Sequence, residues 1–117
     1  MVVVPVVVGN MDRLTTLLQY HEEDPGDSFI RFALASEYGK QGEHIEALKW
    51  FEELRENDPD YVGTYYHIGK LYETLDRQSD AITAYKEGIK IAGAQSDQHA
   101  RSELQSALLE AEGLGFD

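Results

Sequence analysis

Residues 31–51 read RFALASEYGKQGEHIEALKWF, and residues 65–85 read YYHIGKLYETLDRQSDAITAY. Set one above the other at a shift of about 34 residues, the two stretches fall into register. Leu34 lies on Ile68, Ala35 on Gly69 and Tyr38 on Tyr72; Ala47 lies on Ala81, Leu48 on Ile82 and Phe51 on Tyr85. Acids align too, Glu46 with Asp80 and Glu53 with Glu87. A fixed period of this length decides the fold before any single residue does, because each period is one supersecondary unit that buries its apolar face only against its neighbours.

The register extends backwards. Asp24-Pro25 falls on Asp58-Pro59, Leu14 on Leu48 and Leu17 on Phe51. Residues 11–25 therefore read as the second helix of a repeat whose first helix is absent, a half repeat. Local signals agree: Leu14, Leu17, Leu18 and His21 follow helical spacing, with Asn10 as a possible N-cap and Pro25 as a stop. Asp27 or Ser28 can cap the next helix, which Gly42 breaks. From His44 to Asn57, Ile45, Leu48, Phe51 and Leu54 form one apolar stripe. Helices are expected over 61–75 and 78–92, with Asp76-Arg77 as the turn, and a last helix over 97–112 carries Ala100, Leu104, Ala107, Leu108 and Ala111 on one side. The expected fold is all-α, six helices in all.

Taken together, Arg31-x-x-Leu34-Ala35-x-x-Tyr38, Ala47-x-x-x-Phe51 and Pro59, followed by Tyr65-x-x-Ile68-Gly69-x-x-Tyr72 and Ala81-x-x-x-Tyr85, resemble the tetratricopeptide repeat (TPR). The resemblance covers nearly everything after Asn10: a half repeat at 11–25, repeat one at 28–61, repeat two at 62–95 and a capping helix at 97–112. Arg31 stands where a large aromatic is usual, Gly88 replaces a late small or apolar residue, and Gly93 stands where proline would end the repeat. The resemblance implies a right-handed superhelical stack of antiparallel helix pairs, in which Ala35, Gly69, Ala47 and Ala81 are small to let paired helices approach. It also implies a non-catalytic module, an adaptor or scaffold, that binds a peptide or helix of another protein in a concave groove lined by the first helix of each pair.

On those first helices, the residues off the packing stripe are Phe29, Phe32, Ser36 and Lys40 in repeat one, and Tyr66, His67 and Lys70, with Gly63 and Thr74, in repeat two. Phe32 and Tyr66 stand one repeat apart and are expected side by side. Beside Lys40 and Lys70 they would form an apolar, locally basic surface suited to an extended peptide with aromatic or acidic residues. Some relatives hold a chaperone's C-terminal end with a clamp of lysine and asparagine; here Phe32, Ser36 and Tyr66 occupy the comparable surface, so the clamp is not carried over. A different reading is a self-assembling subunit. The half repeat lacks its partner helix, and Met11, Leu14 and Leu18 would form an open apolar flank for a homodimer.

Composition narrows the alternatives. The 117 residues fit one domain, and 22 acids against 10 bases give a formal net charge of −12. Such a chain is repelled by phosphate backbones and anionic lipid, so neither nucleic acid nor membrane is an expected partner. Acids gather at Glu22, Glu23, Asp24 and Asp27 and again at Glu52, Glu53, Glu56, Asp58 and Asp60, an edge that reads either as a draw for a basic partner or, as is more common, as a solubilising face. With no cysteine, disulfides and thiolate metal sites are excluded, and a reducing, cytoplasmic setting is the expectation. His21, His44, His67 and His99 lack the four-residue spacing of a helical metal pair. No phosphate-cradling glycine loop or recognisable nucleophile occurs, so no cofactor, metal or catalytic residue is expected. Val2 to Val8, interrupted by Pro5, reads as part of an extended or disordered arm over 1–10: either an extension upstream of a natural start at Met11, or a sticky arm that docks on a neighbour.

Overall fold

A computed structural model describes residues 10–113 of the chain, with side chains from Arg13 onward. The N-terminal arm lies outside that range except for Asn10, the first residue of α1. Six helices follow one another: α1 (Asn10–Glu23), α2 (Ser28–Lys40), α3 (His44–Asn57), α4 (Gly63–Thr74), α5 (Gln78–Ala94) and α6 (Gln98–Ala111). Among the described residues there is no strand, and no helix is long and apolar enough to cross a membrane.

The sequence period returns in the backbone. After α2, the Gly42 amide bonds to the Gly39 carbonyl and the Glu43 amide to that of Tyr38; one period later, Asp76 bonds to Glu73 and Arg77 to Tyr72. Both are Schellman endings, which need a left-handed residue. Gly42 adopts φ +79° without strain, whereas Asp76 is held at φ +57°. The half repeat joins the series: Asp24 and Asp58 bond to the carbonyls of Tyr20 and Leu54.

Three expectations are corrected. Helix α5 runs through Gly93 to Ala94, because the left-handed residue that ends it is Ser96, at φ +57°. Helix α4 starts at Gly63, since the Tyr61 amide turns back to the Asp58 carbonyl. Ile45 is 65% exposed while Ala47, Leu48, Phe51 and Leu54 are buried. At 3.6 residues per turn, the face centred on Ala47 and Phe51 turns Ile45 toward solvent.

The chain forms two compact units that divide between Trp50 and Phe51, within α3. In the first, Leu17, Ala33 and Leu34 make the core, with Leu14, Ile30, Tyr38 and Trp50 packed against it. The His21 ring meets Trp50 edge-on at 4.8 Å. Leu14, expected on an open flank, is therefore drawn partly inward, while Leu18 is 37% exposed; the Met11 side chain lies outside the described residues.

In the second unit α5 packs on both α4 and α6. Tyr65, Tyr72, Tyr85, Ile68 and Leu104 are fully buried among small residues. Gly69 shows why smallness matters: a Cβ there would come within 2.1 Å of the Tyr85 ring, and one at Gly88 within 2.5 Å of the Tyr65 Cβ. These glycines are steric necessities of close helix contact.

Candidate functional site

Helix α4 divides its aromatic residues between two roles. Tyr65 and Tyr72 are sealed inside, where burial raises both phenols' pKa values. Tyr65 donates to the Pro59 carbonyl at 2.5 Å and Tyr72 to the Glu52 carboxylate at 2.7 Å. The next position, Tyr66, lies about 100° further round the helix and is half-buried. There it lines an open cleft of about 280 Å³ between α4 and α6, together with Lys70, His99, Ser102, Glu103, Ser106, Ala107 and Glu110. Helical spacing places the α6 residues on one side of the helix, where His99, Ser102, Glu103, Ser106 and Glu110 are exposed and Ala107 is buried.

The cleft's charges differ from the expected basic surface. Lys70, its one lysine or arginine, sits 3.9 Å from Glu73 and 5.6 Å from the centre of the Tyr66 ring. Across from it, α6 contributes Glu103 and Glu110. Glu103 has His99 for a neighbour at 3.8 Å, an ion pair only when the imidazole is protonated. Among the described residues no cation lies within ion-pair distance of Glu110. A second hollow of about 190 Å³ adjoins it, lined by Glu73, Asp76, Gln78, Glu110 and Ala111. Lys70 thus faces an acidic wall, a feature that reading the last helix only for its apolar stripe did not reach.

The other candidates fall apart into two groups. His67 is not part of the cleft lining: its ring stacks on Phe51 at 5.9 Å and meets Tyr66 edge-on at 5.6 Å. The residue as a whole is exposed, but desolvation of its ring lowers its pKa, opposed in part by Glu103. Phe29, Phe32, Ser36 and Lys40 follow one another along α2 in the first unit; Phe29 is 65% exposed, Lys40 is exposed, and Phe32 and Ser36 are half-buried. Arithmetic on repeats one and two could not reach His99, Ser102, Glu103, Ser106 and Glu110. Their signal was the three- and four-residue spacing of polar residues flanking the stripe of Leu104, Ala107 and Ala111.

The tetratricopeptide repeat profile matches residues 30–61 and 62–95, more than half of the chain. No curated protein matches the sequence. A tetratricopeptide repeat domain protein from Salinibacter ruber, solved in solution, is 58% identical; the alignment covers 78% of this chain and 92% of that one, with a TM-score of 0.73. Its crystal structure gives 57% identity, 76% and 100% coverage and the same TM-score. The TPR2B domain of yeast Sti1, solved as a pHsp70 complex, superposes at TM-score 0.83 over 91% of this chain and 85% of that one, at 13% identity. The repeated Schellman ending, the glycine under Tyr85 and two matched repeats leave one conclusion, that the chain belongs to the tetratricopeptide repeat family.

Proposed function

We propose that this chain is a protein-interaction module, an adaptor or scaffold without chemistry of its own, that seats a segment of a partner protein against α4 and α6. One observation carries the reading. On a helix whose other large aromatics are sealed, Tyr66 and Lys70 are held at the mouth of an open cleft walled by a second helix. A cleft of this size accepts one or two side chains of a partner, and aromatic residues at such places are the usual anchors of a protein interface. The yeast Sti1 domain of the same fold, described in complex with pHsp70, supports a protein as the bound species. Phe29, Phe32, Ser36 and Lys40, on α2 of the first unit, are proposed as a further contact surface of their own. The test is recovery of partners from the native host with the wild-type chain and with Phe32→Glu/Tyr66→Glu. The expected result is loss of the partners with helicity intact; identical recovery by a helical double variant refutes the face.

A second reading, self-association through α1, draws on Leu18 and on Tyr20, which is 49% exposed. Light scattering across a concentration series decides it. A dimer broken by Leu18→Glu supports it, and a monomer at every concentration ends it.

A further inference from the structure

We infer that the segment bound at the α4/α6 cleft is basic, with a lysine or arginine set against Glu103 and Glu110 and an apolar neighbour against Tyr66 and Ala107. This deepens the interaction-module reading and rests on it. Charge complementarity selects the occupant. Lys70 is engaged by Glu73 and by the Tyr66 ring, whereas Glu110 has no cation within ion-pair distance among the described residues. Glu110 also belongs to both hollows, so a cation beside it would face Glu103 on one side and Glu73 and Asp76 on the other. An acidic segment would have to draw Lys70 away from Glu73 while lying against Glu103 and Glu110, and like charges brought together oppose binding. The Tyr66 face adds an apolar anchor that also attracts cations. At longer range the net charge of −12 steers basic segments toward the chain and repels acidic ones.

The experiment selects peptides from a random library displayed on phage against the full chain, then measures the enriched peptides by titration calorimetry at low and high salt. Three proteins are compared: wild type, Glu103→Lys/Glu110→Lys, and Glu22→Lys/Glu23→Lys, which carries the same change of charge on exposed residues of α1. The inference expects enrichment of lysine- and arginine-containing peptides and binding that weakens with salt. It expects a loss of about tenfold or more in the Glu103/Glu110 variant and a much smaller change in the Glu22/Glu23 variant, all three remaining helical. Equal losses in both variants would show a general attraction to an acidic protein and overturn the site. Enrichment of acidic or uncharged peptides that Tyr66→Glu abolishes would overturn the basic segment yet leave the interaction module standing. Failure to enrich any peptide would count against both.

Discussion

At the scale of single residues, two glycines in the same fold call for opposite outcomes. Gly69→Ala drives a methyl into the Tyr85 ring, which is fully buried and whose hydroxyl donates to Glu73. The ring cannot swing away, so a loss of about 1–3 kcal/mol is expected. Gly93 lies inside α5, and a methyl added there would meet nothing within 4 Å; Gly93→Ala should gain about 0.5–1 kcal/mol. Chemical denaturation of both variants measures the contrast. Ser96 offers a third case. A serine held at φ +57° carries the left-handed penalty, and Ser96→Gly should stabilise by up to about 1 kcal/mol, read as a rise in Tm. His67 gives the chain a pH dependence. Partial desolvation of the ring beside Phe51 lowers its folded pKa below the ordinary 6.5, opposed by Glu103, although the residue as a whole is exposed, so the unfolded chain binds this proton slightly more readily. The stability tied to a neutral His67 is present above about pH 6.5 and is lost as pH falls through the lowered folded value. Between pH 7.5 and 5.5, His67→Gln should lose slightly less Tm than the wild type, the effect being small because the residue is exposed; an equal or greater loss contradicts the lowered pKa.

Among the elements, α1 depends on a device that replaces the repeat's own chemistry. In repeat two the position equivalent to Glu37 is Leu71, and both are buried. In α3 the position equivalent to Arg13 is the small Ala47. The first layer thus exchanges an apolar side chain and a small one for an ion pair, Arg13 Nε to Glu37 Oε1 at 3.0 Å, with Gln41 donating to the other oxygen at 3.4 Å. Arg13→Ala leaves a buried carboxylate short of a partner and should cost about 1–3 kcal/mol. Arg13→Ala/Glu37→Leu should recover most of it, because replacing both partners of such a pair by apolar groups is often nearly neutral. Thermal melts of the two variants test this, and a harmless single substitution would contradict it. Offset arithmetic exposed α1 as half a repeat, since Leu14, Leu17 and Asp24-Pro25 all find matches. It did not expose the tether, because a lone glutamate inside a helix reads as solvent-facing until the helix that supplies its arginine is seen. Trp50 escaped for a related reason: its role depends on His21 and Tyr38, which neither period nor spacing links to it. Repeated small and aromatic residues made the helix pairs legible, whereas unrepeated side chains carried the first layer.

For the molecule as a whole, the same distinction separates the legible part of the site from the rest. Tyr66 and Lys70 came from register, as residues of a first helix off the packing stripe. The acids that set the cleft's sign came from α6, which repeats nothing closely enough to be read by offset. A strongly acidic chain with one engaged lysine at its candidate face is the setting for the central claim, that a partner is held between α4 and α6. Hydrogen–deuterium exchange of the full chain, with and without its recovered partner, tests that claim most directly. Slowed exchange on binding is expected in α4 around Tyr66–Lys70 and in α6 around Glu103–Glu110, with α1 unchanged or nearly so. Protection confined to α1, or to α3 and α5 with α4 and α6 unaltered, would contradict it.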